Sequence, residues 1–210
     1  MFLNEAVTLR IMINTIIFDL GNVIVNVNWS KFYDKLNYFG EKTDFLEGQI
    51  EKTSFRKSFE RGEITPKEFY YKVRKALNLN ISFDKFKLAY NNIFSLNKEV
   101  AELIKKLKSS FRLVLLSNID ILHYQYIKKK YKILDVFDEY VLSCEVGYLK
   151  PNPLIFLHAI KKSQALPFNC LYFDDILEFV IAARLMGIRA FQYKNFEKLI
   201  NDLNKIDIFI

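Results

Sequence analysis

The sequence predicts an α/β fold, a doubly wound parallel sheet carrying an inserted helical cap. Three observations predict it. Four short apolar runs, "TIIFDL", "FRLVLLS", "CLYFDD" and "IRAFQY", are rich in β-branched and aromatic residues and alternate with helical patterns. Their near-continuous hydrophobicity is that of parallel strands covered on both faces. Between Trp29 and about Phe94 the pattern changes, and only amphipathic helices can be read.

The first strand lies in "IIFDLGNVIV", Ile16 to Val25, and ends on Asp19 with a glycine two residues later. Within the helical block, "TPKE" opens one helix: Thr65 suits the N-cap, Pro66 the first turn and Glu68 the capping box. Another helix opens at Ser82. The core resumes with a helix starting near Asn97 and a strand from Phe111, and a shorter strand, "YVLS", precedes a loop marked by Gly and Pro. The expected division is a core of residues 12–27 and 96–210, a cap of residues 28–95, and an N-terminal extension of residues 1–11. The extension adds little to the pattern, and Met12 would serve equally well as the start of the domain.

At 210 residues, with 51% hydrophobic and 26% charged side chains, the composition is that of an ordinary globular protein. No apolar run reaches the roughly 18 residues that span a bilayer. "MFLNEAVTLR" lacks a charged start and a small-residue cleavage site, so no secretory leader is expected. Cys144 and Cys170 form no CxxC pair, which predicts free thiols in a reducing cytoplasm. His123 and His158 make no cluster, which argues against zinc. The net charge of +7 comes with no nucleic-acid module or basic arm, and the densest run, "IKKKY", is short. A preference for anionic small molecules is the milder inference.

Ligands of open parallel sheets bind beyond the carboxyl ends of the strands. Here those ends carry Asp19, Ser117 with Asn118, and Asp174 with Asp175, while "GYLKPNP" returns Lys150 to the same edge. Singly, each reads as a turn former, a helix cap or a solvated lysine. Together they place three carboxylates, a cation and a hydroxyl–amide pair on one rim. Clustered carboxylates repel unless a cation joins them, and oxygen-only ligands select a hard ion such as Mg²⁺.

With these residues in place, the chain resembles the phosphatases of the haloacid dehalogenase (HAD) superfamily, subclass I, with a Rossmann-like core and a C1-type helical cap. Four motifs occur in order: "FDLGNV" around Asp19, "LLSN" with Ser117, "LKP" at Lys150 and "YFDD" at Asp174 and Asp175. "ERGEIT" in the cap (Glu60 to Thr65), "LSN" followed by His123, and "GYLKP" are most similar to the bacterial α-D-glucose-1-phosphatase branch. The resemblance implies Mg²⁺-dependent hydrolysis of a small phosphorylated metabolite, such as a sugar 1-phosphate, through an aspartyl-phosphate. By it, Asp19 is the nucleophile and Lys150 its catalytic counter-charge. Asp19, Asp175 and the Gly21 carbonyl hold the metal, and Asp174 supports them. Ser117, Asn118, Gly21, Asn22 and Arg61 are the phosphate or substrate contacts. Neither nucleic acid nor membrane is an expected partner, and monomer and homodimer are equally compatible.

Two departures stand out. Most relatives carry an Asp at the position of Gly21, where it protonates the leaving group and activates water; the glucose-1-phosphatase branch shares the glycine. General acid–base catalysis contributes about 10²–10⁴-fold, so good leaving groups are expected to be favoured unless another residue supplies the proton. Beyond the fourth motif, Ile176 and Phe179 replace polar residues common in the family, which leaves room for a weak or non-catalytic phosphate-binding protein. A 2-haloacid dehalogenase would not need the metal site of Asp174 and Asp175, and a phosphomutase would resemble the complete first motif. In the cap, Trp29, Phe32 and Tyr33 read as core before cavity lining. Arg61 and Glu63 either face the substrate or form an exposed turn.

Overall fold

The computed structural model describes residues 12–41, 50 and 53–209. The expected extension, residues 1–11, lies outside them. Five parallel strands form the central sheet: β1 (Thr15–Phe18), β4 (Arg112–Ser117), β5 (Glu139–Leu142), β6 (Cys170–Asp174) and β7 (Arg189–Gln192). Their spatial order is β5-β4-β1-β6-β7, so β1 is central and pairs with β4 on one side and β6 on the other. The fold class read from the sequence is the observed one.

Alternation along the strands explains why they are apolar throughout. Ile16 and Phe18 point to one layer with Leu115 and Phe173, and that layer packs against helices α5 (Lys98–Leu107) and α10 (Phe196–Asn204). Ile17, Leu116 and Tyr172 point to the other, against α8 (Pro153–Ser163) and α9 (Leu177–Leu185). Successive side chains alternate faces, so a strand buried on both sides has no wet position to mark with a polar residue.

Between β1 and α5 the chain leaves the sheet and forms α1 (Ser30–Tyr38), α2 (Ser54–Glu60), α3 (Pro66–Ala76) and α4 (Phe83–Tyr90). Their shared interior is aromatic: Phe59 stacks on Phe69 at 4.3 Å and Phe86 on Tyr90 at 5.3 Å. Phe32 and Tyr33 belong to this buried interior, whereas Trp29 is only partly buried. One feature was not legible beforehand. Two strands of three residues, β2 (Val25–Val27) and β3 (Phe94–Leu96), pair antiparallel where the chain enters and leaves the helical block. Runs that short carry no period that distinguishes a strand from loop. The ribbon is fixed from the core side by Asn97, whose Nδ2 donates to the Val23 carbonyl at 3.1 Å and to the Tyr193 hydroxyl at 2.9 Å.

The helix starts fall where the caps placed them. Thr65 accepts from the Glu68 N–H at 3.3 Å, and Glu68 reaches back to the Thr65 N–H at 2.7 Å, completing the capping box. Ser82 caps α4 and Asn97 caps α5. Thr65→Ala removes one acceptor from the first turn of α3 and is expected to lower stability by about 1 kcal/mol. A shift of the urea midpoint with an unchanged slope would show it.

Candidate active site

Strand β1 delivers Asp19 to the carboxyl edge of the sheet, β4 delivers Ser117, and β6 ends on Asp174 with Asp175 following. Asp19, Ser117, Lys150 and Asp174 are all buried, and Asp175 is half-buried. The Lys150 ammonium donates to Asp19 Oδ1 at 2.7 Å and to Asp174 Oδ2 at 2.6 Å. It also reaches the Tyr172 hydroxyl at 3.1 Å and the Leu116 carbonyl at 3.3 Å. The Tyr172 hydroxyl in turn donates to Asp174 Oδ2. Phe179, on α9, sets its ring 5.1 Å from the same ammonium, so the apolar residue after the acidic pair packs against the lysine. Ile176 remains exposed, but its N–H donates to Asp174 Oδ1 at 2.8 Å.

The backbone around this cluster is fixed by amide side chains. Asn118 grips the main chain of Lys150 from both sides: its Oδ1 accepts from the Lys150 N–H at 2.7 Å, and its Nδ2 donates to the Lys150 carbonyl at 3.1 Å. The Asn118 side chain is thus engaged by protein, while the Ser117 hydroxyl makes no hydrogen bond among the described residues and lines the cavity above. Asn22 sits at φ 52°, a conformation asparagine tolerates, and its Nδ2 donates to Asp175 Oδ2 at 3.1 Å. It orients a carboxylate. Arg61 lies apart from the cluster, paired with Glu63 on an exposed turn and outside the cavity lining.

Electrostatics follow from burial. Desolvation pushes the Asp19 carboxyl up to about 7; Lys150 opposes this, while Asp174 and Asp175 add to it. Burial also raises Asp175, with Asn22 opposing. Burial alone would lower Lys150, but its two carboxylate partners outweigh that and hold it above the ordinary lysine range. Three carboxylates against one ammonium leave the edge short of positive charge. Asp19, Asp174 and Asp175 each offer an oxygen within 4.8 Å of the others, an all-oxygen set that fits a hard divalent cation. Asp19 Oδ2 makes no hydrogen bond among the described residues, so one oxygen of this acid is held and the other is free.

A cavity of about 70 Å³ is lined by the chain neighbours of the cluster, Leu20 and Gly21 after Asp19 and Ser117 with Asn118 at the end of β4, and not by Asp19 or Lys150 themselves. Gly21 and Ser117 line it from the core, and Trp29, Arg56, Glu60 and His123 line it from the other side. Neither Arg56 nor Asp120 stood out in the sequence. Arg56 and Glu60 are four residues apart on α2 and form an ion pair at 2.9 Å, with the guanidinium 4.8 Å from the Trp29 ring. Asp120 caps α6 (Ile121–Lys130) and accepts from the Tyr90 hydroxyl at 2.8 Å, and it lies 3.0 Å from His123 Nδ1. Burial would raise the Asp120 carboxyl, but His123 and Tyr90 overcome this and hold it below the usual range. The signal available beforehand was spacing alone, and i,i+4 pairs of opposite charge are common on solvated helix faces.

The family model of haloacid dehalogenase-like hydrolases matches residues 13–187. The chain belongs to that family. A curated relative, D-ribitol-5-phosphate phosphatase of Bacteroides thetaiotaomicron, is 25% identical over 192 residues, covering 88% of this chain and 93% of that protein. A HAD family enzyme of the same organism, solved with magnesium and inorganic phosphate, superposes with a TM-score of 0.79 at 23% identity, covering 89% of this hydrolase and 98% of that chain. A HAD-like hydrolase from Porphyromonas gingivalis gives the same TM-score, 0.79, at 23% identity, covering 95% and 100% of the two chains.

Because Lys150 is the buried counter-ion of two buried acids, Lys150→Met is expected to cost this hydrolase about 3–5 kcal/mol at neutral pH. The sign of its pH dependence follows from linkage. An acid whose folded pKa exceeds its unfolded value of about 3.9 binds its proton more tightly when folded. Asp19 already stands at about 7 with Lys150 in place, and loss of the ammonium raises it further, so the penalty on the variant grows as pH rises through about 7, and urea unfolding with a chelator present should find it closest to wild type near pH 5.

Proposed function

We propose that this hydrolase is a Mg²⁺-dependent phosphomonoesterase acting on a small phosphorylated sugar or polyol. The observation that carries the reading is the contact of Asp19 with Lys150 at 2.7 Å, inside a carboxylate cluster suited to a divalent ion. In it, Asp19 attacks phosphorus in line with the departing oxygen and becomes an aspartyl-phosphate, which water then hydrolyses. Lys150 neutralises the carboxylate as it meets a dianion, and the free Ser117 hydroxyl donates to a phosphoryl oxygen. Residues 28–95 act as a C1-type cap that encloses the substrate.

Asp19, Asp175 and the Gly21 carbonyl would hold Mg²⁺, supported by Asp174, and the ion would supply charge neutralisation for phosphoryl transfer. The Bacteroides relative named for ribitol 5-phosphate supports a polyhydroxylated substrate, as does a cavity wall that combines an indole ring with an Arg–Glu pair. The sugar 1-phosphate reading rests on the motif resemblance alone. Sugar and polyol phosphates are therefore to be tested side by side.

Purified protein should release phosphate from p-nitrophenyl phosphate with Mg²⁺, lose turnover with EDTA, and regain it on adding Mg²⁺. Asp19→Asn should reduce turnover to background without lowering the melting temperature. A panel of sugar phosphates, polyol phosphates and nucleotides would then rank the substrates. Thermal stabilisation by phosphate with no turnover of any ester would instead identify a non-catalytic binding protein.

A further inference from the structure

Gly21 leaves the β1 side of the cavity without a titratable side chain, and the opposite wall supplies one. Glu60 closes α2, and its side chain is only 14% exposed. Arg56 binds one oxygen only: Nε and Nη2 both reach Oε1, at 3.0 and 2.9 Å. Oε2 makes no hydrogen bond among the described residues. The main chain here is pinned to the core, because Ser143 Oγ donates to the Glu60 carbonyl at 2.6 Å. Two residues on, Gly62 (φ +72°) lies so close to the core that a Cβ there would fall 2.3 Å from the Cys144 carbonyl oxygen. Glu60, Gly21 and Ser117 therefore face one small cavity across a fixed span.

We propose that Glu60 is the general acid and base of phosphoryl transfer at Asp19, an inference that rests on the phosphatase reading. In the first step the Asp19 oxygen bonds to phosphorus and the bond from phosphorus to the ester oxygen breaks. The proton of Glu60 passes to that oxygen, releasing an alcohol and leaving Glu60 as carboxylate. In the second step water attacks phosphorus and gives its proton to Glu60, and the bond from phosphorus to Asp19 breaks. Inorganic phosphate leaves, and both acids return to their starting states. The charged and titratable groups that interact with Glu60 are Arg56 and Arg61 from the same helix and turn, Asp120 and His123 from α6, and Tyr90 from α4, while Ser143 of α7 (Ser143–Val146) holds its main chain. Burial raises the Glu60 carboxyl above the ordinary range; Arg56 and His123 oppose this, and Asp120 adds to it.

The test is kcat/KM with Mg²⁺ across esters from 4-nitrophenyl phosphate through phenyl phosphate to an alkyl phosphate. Wild type should depend only weakly on leaving-group pKa. Glu60→Gln should lose about 10²–10⁴-fold on the alkyl ester and less than about tenfold on 4-nitrophenyl phosphate. Wild type should decline in rate at high pH, and Glu60→Gln should lose that decline. Adding Gly21→Asp to Glu60→Gln should recover alkyl phosphate turnover, because a Cβ at Gly21 meets nothing nearer than 3.7 Å and lies 3.9 Å from Asp19 Oδ2. An equal loss on every ester, or a rise in KM alone, would overturn the assignment. So would a steep dependence in wild type, a result that needs no variant to fold. Absence of Asp19-dependent turnover in wild type would remove the phosphatase reading itself, which is a separate result.

Discussion

The ammonium of Lys150 sits between Asp19 and Asp174 with almost no solvent, and the geometry of the sheet edge is organised around it. A buried cation is tolerated only where opposite charges and acceptors surround it, and here the acceptors come from separate elements: β1, β4 and β6. Asn118 fixes the lysine's main chain, so the position of Nζ is set from both ends of the side chain. The balance remains negative, however, because Asp175 adds a third carboxylate. Two unit charges 4 Å apart interact by about 4 kcal/mol at an effective dielectric of 20, so a phosphate dianion could not approach without more positive charge. That deficit is the physical argument for a divalent ion, and it stands apart from any likeness to known proteins.

A second constraint joins the helical block to the core. Tyr90 of α4 stacks on His123 of α6 at 3.9 Å, and Asp120 accepts from the hydroxyl of that tyrosine. Ser143 holds the end of α2, and the glycine at 62 allows the following turn to lie against the main chain of α7. Aromatic packing inside the block makes it stiff, so these contacts fix where Arg56 and Glu60 stand relative to Asp19. A small cavity results, with Arg56 and Glu60 facing Gly21 and Ser117 across it.

The sheet and its acidic edge could be read from the chain because their signals are local. Buried parallel strands are apolar runs, and strand-end carboxylates interrupt them at fixed places. The capped starts of α3, α4 and α5 were legible for the same reason. What escaped the reading depends on distant partners. An asparagine after a strand end reads as a donor toward ligand, whereas Asn118 spends its amide on a residue 32 positions away. The Asn22 amide turns to Asp175 across 153 positions. Arg56 and Glu60 look in sequence like any solvated pair, and only the docking of α2 onto α7 reveals that they are largely buried.

Gly21 shows how chemistry and sterics separate at this site. Nothing in the fold demands glycine there: the space beyond its Cα is open to ordinary van der Waals contact, and its φ is not positive. Packing therefore does not require the missing side chain. Under the proposed roles, nucleophile and acid stand on different elements, Asp19 after a central strand and Glu60 at the end of α2. On that proposal, leaving-group departure depends on α2 being seated on α7, where Ser143 holds the Glu60 carbonyl. An acid carried on the nucleophile's own loop would act whether or not the cap was in place. On that proposal the proton would arrive with the helical block, and transfer from Asp19 to stray water would be disfavoured until a substrate is enclosed.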